Sequence, residues 1–336
     1  MKRRSALAGI AAALACPAAV RAQTQNYLLR GEVQAFVDAL ANGYGFERGW
    51  LLSVIGQAHY NETSERLTTP SLIPPGNRNW LEYRTRALSE SRLNDGVAFW
   101  RTNSAALARA ATLFGVPEEI PVAIIGIETM YGKLAGSHRT IDVLMTLTFD
   151  YTRRAEYYRE ELVQFLLLCR EQGLDPLAQR GSFAGAMGLP QFMPSSVRSL
   201  AVDFDGNGHI DIARSAADAI GSVAHFLSVN GWVRDLPIAL VAQATGEISE
   251  ILGSTIRALY RWQDLARLGV TIDGTLEPDT RVLLADLPFV SPSGVEGIEY
   301  RVGTLNFSAL LHYNRSFLYA TAVTEFAQAV RARRQS

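Results

Sequence analysis

The most constraining feature of this sequence is an almost wholly apolar run that ends in a single acid. Residues 120–127 read Ile-Pro-Val-Ala-Ile-Ile-Gly-Ile, and Glu128 follows directly. Such a run predicts a helix buried on most sides, so the Glu128 carboxyl group is expected to be poorly solvated. Burial raises the pKa of a carboxyl group, as a general acid working near neutral pH requires. The alternative is structural: a glutamate at the end of a buried helix that pairs with an arginine or a backbone amide.

A second unusual segment covers residues 181–196 and is rich in small side chains. It reads Gly-Ser-Phe-Ala-Gly-Ala-Met-Gly-Leu-Pro-Gln-Phe-Met-Pro-Ser-Ser and contains no acid. Small residues allow another backbone or a polymeric ligand to approach closely. A tight junction between two helices is the alternative interpretation.

Residues 203–211, Asp-Phe-Asp-Gly-Asn-Gly-His-Ile-Asp, have the spacing of an EF-hand-type calcium loop. Oxygen-bearing side chains fall at loop positions 1, 3, 5 and 9, and a glycine falls at position 6. Position 12 is Arg214, so the closing acid would have to be Asp218. The predicted ligands are Asp203, Asp205, Asn207, His209 and Asp218, in a structural role. A metal-free turn rich in Asp and Asn is the alternative.

The first 22 residues are predicted to be an export signal rather than part of the fold. Residues 2–4 are basic, residues 6–19 are apolar, and residues 20–22 precede a cleavage position at Gln23. This pattern predicts a soluble periplasmic protein. A lipid anchor on Cys16 is the alternative, because the residues before it resemble a lipoprotein cleavage box. After cleavage only Cys169 would remain, so no intramolecular disulfide is expected.

Several other classes of protein are disfavoured. A net charge of −1 does not indicate a nucleic-acid partner. The five histidines lack the spacing of a zinc site. Ser195-Ser196 lacks the G-x-S-x-G context of a serine hydrolase.

Apolar residues at helical spacing dominate the chain up to about residue 235, where the pattern changes to short β-like stretches separated by Gly, Asp and Pro. Helices are predicted at 33–44, 48–58, 80–88, 92–113, from Pro117 through Glu128, and at 143–149, 153–172, 195–202, 216–229 and 317–333. Residues 61–80 are rich in Thr, Pro, Asn and Gly and are predicted to be extended. Short β-like stretches at 238–242, 269–272 and 302–310 indicate a small β-containing insertion.

Three of these segments together resemble the lytic murein transglycosylase B family, which is glycoside hydrolase family 103 of the lysozyme-like superfamily. They are residues 125–132 (Ile-Gly-Ile-Glu-Thr-Met-Tyr-Gly), 181–196 and 203–210. Further matches follow in the same order along nearly the whole chain after the signal: residues 80–84, 153–157, 218–226, 230–232 and 313–314.

The resemblance implies a mainly α, α+β fold with a goose-lysozyme-like helical catalytic core. A helical domain and a small β insertion would flank this core. The implied boundaries are a signal peptide at 1–22, an N-terminal helical domain at 23–110 with the C-terminal helix 320–336, a core at 111–233 completed by 305–319, and a β domain at 234–304.

The resemblance also implies cleavage of the β-1,4 bond between N-acetylmuramic acid and N-acetylglucosamine, leaving a 1,6-anhydromuramic acid end. Glu128 would be the sole acid/base, protonating the glycosidic oxygen and then accepting the proton of the C6 hydroxyl. The usual second carboxylate is unnecessary because the substrate supplies its own nucleophile. The alternatives are a lysozyme-type muramidase that uses water and a non-catalytic cell-wall-binding protein.

Residue by residue, the resemblance implies a glycan-binding cleft and two departures from the family pattern. The implied binding residues are Ser182, Gln191, Tyr83, Tyr313, Asn314 and Tyr319. Arg153 or Arg154 would meet a carboxylate of the substrate or else form a surface pair.

Catalysis would need no cofactor, and calcium would be structural. The implied partners are peptidoglycan glycan strands and candidate cell-wall synthesis or division proteins, with the chain monomeric. Leu189-Pro190 replaces a common aromatic-Gly pair, and Asp205 and Asn207 stand where Ser and Asp are expected, with one extra residue before Asp218.

Overall fold

The computed structural model describes residues 26–69, 79–245, 248, 251–252 and 255–335. The predicted signal peptide at 1–22, with Cys16, lies outside these residues. Within them, no single helix has the length and apolar character needed to cross a membrane. Ser104–Phe114 and Glu119–Thr129 meet that requirement only as a pair, which is bent by 116° at its junction.

Fourteen α-helices within the described residues confirm the mainly α prediction. They are α1 (Gly31–Tyr44), α2 (Arg48–Ile55), α3 (Glu62–Thr68), α4 (Trp80–Ala87), α5 (Glu90–Thr102), α6 (Ser104–Phe114), α7 (Glu119–Thr129), α8 (Thr140–Phe149), α9 (Ala155–Gln172), α10 (Pro194–Leu200), α11 (Ala216–Val229), α12 (Trp262–Arg267), α13 (Leu305–Tyr313) and α14 (Phe317–Gln335). Short 3-10 helices cover Tyr27–Leu29 and Thr152–Arg154.

The strands form one small sheet and one short pair. β1 (His138–Arg139) pairs with β2 (Arg180–Gly181). The sheet contains β3 (Ala239–Ala244), β4 (Tyr260–Arg261), β5 (Val270–Ile272), β6 (Arg281–Val290) and β7 (Glu296–Gly303). Its order is β4-β6-β7-β3-β5, and every pairing is antiparallel. All five strands lie within the predicted insertion, whose boundaries at 234 and 304 remain predictions.

Two sequence-based predictions of extended structure were wrong because side-chain caps start helices there. Of residues 61–80, the part at 70–78 lies outside the described residues, and the part before it contains α3. The Asn61 side chain accepts a hydrogen bond from the Ser64 amide at 3.0 Å. Residues 302–310 are strand only to Gly303. The Thr304 side chain accepts from the Asn306 amide at 3.1 Å and begins α13.

Several predicted helices also have different limits. The helix expected over 48–58 ends at Ile55, and the one expected over 143–149 begins at Thr140. The helix expected over 92–113 is broken at Asn103 into α5 and α6, and the Asn103 side chain donates to the Phe99 carbonyl at 2.8 Å. The helix expected from Arg153 begins at Ala155, after a 3-10 turn that holds Arg153 and Arg154. Both arginines therefore precede the regular helix.

Helix α7 runs through the centre of the main core, as its composition predicts. Residues 120–126 are all buried, and α7 packs against α14, α5 and α11. The sheet is attached where α4, β6 and α14 meet, through a cluster containing Trp80, Leu287 and Leu318. Fully burying a large apolar side chain such as Trp80 stabilises the fold by about 2–3 kcal/mol. The sheet is thereby joined to α4 and α14.

Candidate active site

Glu128 lies in the last turn of α7, after the buried residues 120–126 and the partly buried Ile127. The residue keeps some solvent-accessible surface, but its carboxyl group is shielded by surrounding protein. Burial raises the pKa of Glu128 to about 7, and the adjacent Tyr319 hydroxyl offsets part of this rise. At neutral pH such a group is present in both protonation states, which suits alternating acid and base roles.

A raised pKa alone does not identify Glu128 as the reactive acid, because buried Glu161 also has one. The oxygens of Glu161 are occupied, accepting from the Ser195 amide at 2.9 Å and the Ser195 hydroxyl at 2.7 Å. Glu128 has a different environment. Apart from burial, Tyr319 is the only group among the described residues that shifts the pKa of Glu128, and this pKa is shifted by no cation and no second carboxylate. The structural alternative of an arginine or amide partner therefore describes Glu161 better than Glu128.

The chain reverses immediately after Glu128 through a turn held from several sides. Met130, Tyr131 and Gly132 have φ of 48°, 58° and 94°. Such values are strained for non-glycine residues and persist only where surrounding contacts enforce them. The Thr129 hydroxyl accepts from the Gly132 amide at 3.1 Å and donates to the Leu189 carbonyl at 3.0 Å. This hydroxyl ties the end of α7 to the Gly-rich segment.

Three tyrosines from distant parts of the sequence converge on Glu128. Tyr83 comes from α4, Tyr313 from the end of α13 and Tyr319 from the start of α14. Burial and the nearby Glu128 charge raise the pKa of all three phenols. The rings of Tyr313 and Tyr319 stack with centroids 6.3 Å apart. The Tyr319 hydroxyl is buried and has no hydrogen-bond partner of ordinary geometry in the described chain.

The Gly-rich segment comes close to the protein's own backbone. A Cβ on Gly136 would lie 2.1 Å from the Gly181 carbonyl oxygen, and one on Gly188 would lie 2.7 Å from the Ile212 carbonyl oxygen. Side chains at these positions would therefore push the segments apart. The hydroxyl oxygen of Ser182 accepts from the Ala186 amide at 3.1 Å, which leaves its proton free to donate elsewhere.

Gln191 lies in a short, tightly held stretch of the same segment and has a φ of 54°. Its side-chain amide donates to the Gly188 carbonyl at 2.9 Å and the Ala135 carbonyl at 3.2 Å. The Tyr313 hydroxyl donates to the Pro190 carbonyl at 2.5 Å. These bonds hold the segment beside the end of α7.

The other predicted binding residues lie on exposed parts of the described chain. Asn314 is exposed at the end of α13, and its side chain has no partner among the described residues. Arg154 lies over the Tyr157 ring, 4.1 Å from its centroid. Arg153 is exposed. The prediction that either arginine meets a substrate carboxylate stays a prediction.

The predicted metal loop gathers three carboxylates. Asp203, Asp205 and Asp218 each place an oxygen within 4.8 Å of the others. Asp218 is fully buried and accepts from the amides of Phe204, Asp205 and Asp211 at 2.8, 3.1 and 2.8 Å. Carboxylates this close repel one another unless a cation lies between them, so the donor set fits calcium.

The remaining two predicted ligands are less directly involved in this cluster. The Asn207 side-chain oxygen accepts from the His209 amide at 2.8 Å, and His209 is exposed. The loop also supports the Gly-rich segment, because the Ile212 carbonyl accepts from the Leu189 amide at 2.9 Å. The predicted metal loop and the Gly-rich segment are therefore in direct contact.

Sequence reasoning missed Thr129 and Tyr131, which shape the turn after Glu128, and Arg92, whose charge lowers the pKa of Tyr83 and Tyr131 against the effect of their burial. Tyr131 stacks on Phe99 with ring centroids 4.9 Å apart. Thr129 and Tyr131 directly follow Glu128 within the same motif, which was an available signal. No sequence pattern marked Arg92.

Comparison with known proteins agrees with this geometry. Residues 29–328 match the family described as the transglycosylase SLT domain. The chain is 40% identical over 306 residues to membrane-bound lytic murein transglycosylase B of Escherichia coli K12, and the match covers 88% of this chain and 82% of that protein.

Two solved structures share the fold. One is catenated lytic transglycosylase SltB1 of Pseudomonas aeruginosa, with 40% identity, a TM-score of 0.83 and coverage of 91% of this chain and 98% of that one. The other is Escherichia coli lytic transglycosylase Slt35 in complex with calcium, with 37% identity, a TM-score of 0.80 and coverage of 94% and 98%.

Proposed function

This chain belongs to the transglycosylase SLT domain family and is a peptidoglycan lytic transglycosylase, and we propose that Glu128 is the single carboxyl group that performs its chemistry. The supporting observation is the environment of this group. Glu128 ends a buried helix, faces three tyrosines rather than an ion-pair partner, and has a pKa raised to about 7 by burial.

The proposed reaction uses this carboxyl group twice. The protonated Glu128 donates its proton to the glycosidic oxygen while the bond from that oxygen to C1 of the muramyl sugar breaks. The departing sugar leaves as an alcohol, and positive charge develops at C1. The Glu128 carboxylate then accepts the proton of the C6 hydroxyl as O6 bonds to C1. The atoms balance without water, and Glu128 ends the cycle protonated.

The remaining residues are proposed to position the sugar for this internal attack. Ser182 has a hydroxyl proton to donate and Asn314 a free side-chain amide, so both suit the muramyl N-acetyl group. The half-buried Tyr83 and Tyr313 present apolar ring surface on which sugar faces can pack. Tyr319 is buried and would act by supporting Tyr313, on which its ring stacks. Gln191 would contact the glycan through its side-chain oxygen, which accepts no hydrogen bond within the described chain. Holding a nucleophile in place can lower the barrier by about 7–11 kcal/mol.

The products of digestion test this reaction. We expect peptidoglycan treated with the purified protein to release muropeptides that are one water lighter than hydrolysis products, because O6 replaces water as the nucleophile. Mass spectrometry of the soluble fragments measures this directly. Reducing-end products as the main species would contradict the proposal and indicate a lysozyme-type muramidase instead.

The pH dependence is expected to follow the protonation of Glu128. Bond cleavage requires the acid form, so kcat/KM should fall as the pH rises through about 7, the raised pKa of this group. Tyr319→Phe removes the hydroxyl that lowers this pKa. We therefore expect the alkaline limb of the pH profile to move to higher pH in this variant, whatever its maximal rate. A limb that stays in place or moves to lower pH would contradict the assignment.

We also propose that the loop at 203–218 binds a structural calcium ion. Asp203, Asp205 and Asp218 would hold it, assisted by Asn207 and the backbone carbonyl of His209. When bound, the cation neutralises clustered charge and takes no part in the reaction. The calcium complex of the related Slt35 supports this proposal. Thermal unfolding with and without calcium tests it.

The cell-wall substrate suggests where the protein works. We propose export by residues 1–22 and action in the periplasm. The Escherichia coli relative is described as membrane-bound, so a lipid anchor on Cys16 is the competing proposal. The mass of the mature N-terminus distinguishes them, because it begins at Gln23 in the first case and at a lipid-modified Cys16 in the second.

A further inference from the structure

Arg92 is a partly buried cation without an anionic partner. It lies in α5, its Nε atom is buried without a hydrogen-bond partner, and it forms no ion pair within the described residues. Burial lowers the pKa of its guanidinium group. A partly buried cation without an anionic partner costs folding free energy unless hydrogen bonds compensate it.

The contacts of Arg92 show what it holds. Its Nη1 atom donates to the carbonyl oxygens of Arg86 and Ala87, the second at 2.9 Å. These carbonyls belong to the last turn of α4, where helix carbonyls lack partners within the helix. A cation at the end of a helix also interacts favourably with the helix dipole. Arg92 therefore caps the helix that carries Tyr83.

Arg92 also adjoins the turn that follows Glu128. Its charge is close enough to Tyr83 and Tyr131 to lower the pKa of both phenols, against the larger effect of their burial. The Tyr131 hydroxyl lies over α5, where a Cβ on Gly96 would come within 2.6 Å of it. Arg92 is thus next to one residue that faces Glu128 and another in the turn that fixes the end of α7.

We propose that Arg92 is a positioning residue that holds Tyr83 against the Glu128 carboxyl group by capping α4. The inference rests on the proposed role of Glu128 and extends it to a residue that does not touch the substrate. Tyr83 from α4, Tyr313 from α13 and Tyr319 from α14 lie near enough to Glu128 for its charge to raise the pKa of each phenol. Tyr83 also packs against the same apolar cluster as Ile127, the residue before Glu128. If α4 loosens, Tyr83 withdraws, water reaches the carboxyl group, and the pKa of Glu128 falls towards its usual value.

The test is a double-mutant cycle between Arg92 and Tyr83. We expect Arg92→Met to lower kcat/KM about tenfold in the wild-type background and less than about twofold in a Tyr83→Ala background. The alkaline limb of the pH profile should move to lower pH in Arg92→Met. Arg92→Lys keeps the charge and one donor, should show a smaller effect of the same sign, and replaces Arg92→Met if that variant does not fold.

Arg170→Met is the matched control. Arg170 also donates to a carbonyl at a helix end, from Nη1 to the Tyr44 oxygen at 2.8 Å, but at the end of α1. We expect this change to leave kcat/KM and the alkaline limb unchanged, even where it lowers the Tm.

Two results would overturn the inference. One is an equal loss from Arg92→Met in both backgrounds, and the other is an alkaline limb that does not move. Failure of the proposed function is distinguishable, because it would appear as retained activity in Glu128→Gln. An inactive Glu128→Gln with additive Arg92 and Tyr83 effects would reject only the positioning role.

Discussion

Glu128→Gln is expected to lower kcat/KM on peptidoglycan by about three orders of magnitude or more, because a single group supplies both proton transfers. The amide is close in size to the carboxyl group, so the end of α7 and the facing tyrosines should keep their places. Digestion of purified peptidoglycan by wild type and variant, followed by mass spectrometry, measures the loss of anhydro products. Substantial remaining activity would show that another group is the acid.

The stability of this variant serves as the first control. The folded-state pKa of Glu128 is raised from 4.5 to about 7, so the folded protein binds the proton more tightly than the unfolded chain does. Stability contributed by this site is therefore greatest below about pH 4.5 and is lost as the pH rises towards 7. Glutamine does not ionise, so we expect Glu128→Gln to be at least as stable as wild type at pH 8. An inactive variant with an undiminished Tm excludes unfolding as the cause.

Glu119→Gln is the matched substitution at the other end of α7. Glu119 pairs with Arg331 at 3.0 Å on the protein surface, away from the Glu128 cluster. A partly exposed pair of this kind contributes about 0–1 kcal/mol. We expect the variant to retain wild-type activity. A loss comparable to that of Glu128→Gln would indicate a general effect of altering α7.

The burial of Glu128 was predictable from local sequence, because the apolar run at 120–127 requires a buried helix. The small residues at 181–196 correctly indicated close backbone approach, although the closest contacts are with the protein's own backbone at Gly136 and Ile212. The errors arose where short-range hydrogen bonds override composition. Asn61 begins a helix in a polar segment, and Thr304 ends a strand whose apolar alternation otherwise continues.

The convergence of Tyr83, Tyr313 and Tyr319 could not be derived from spacing. Tyr83 lies in α4, more than 200 residues before the other two in the sequence, and packs at the sheet junction. Tyr313 and Tyr319 belong to the main core, so only tertiary packing brings the three together. Only the family resemblance pointed to them. Arg92 could not be found from the sequence for a different reason. It donates to the backbone carbonyls of Arg86 and Ala87, and because every residue has a backbone carbonyl, no particular residue type is needed at the partner positions.

Asp218→Asn is expected to destabilise the protein by about 3 kcal/mol, because one carboxylate closes the whole metal loop. Both oxygens of Asp218 accept amide protons, two on Oδ1 and one on Oδ2. Asparagine has one accepting oxygen, so at least one buried amide must face an NH2 group. Ile212 lies within this loop and accepts from the Leu189 amide, so we also expect a lower kcat/KM through displacement of Gln191.

Thermal unfolding of chelator-treated protein, with and without added calcium, measures both parts of this prediction. Calcium should raise the Tm of wild type by binding the folded state, and it should raise the Tm of Asp218→Asn much less, since a ligand and a negative charge are gone. Asp175→Asn is the control, because Asp175 also accepts a loop amide, that of Leu177 at 2.9 Å, on an exposed turn outside the metal loop. That variant should lose less than about 1 kcal/mol and keep the full calcium response. If calcium raised the Tm of wild type and of Asp218→Asn by the same amount, the ion would bind elsewhere. If Asp218→Asn had the same Tm as wild type in the absence of calcium, Asp218 would not be the residue that closes the loop.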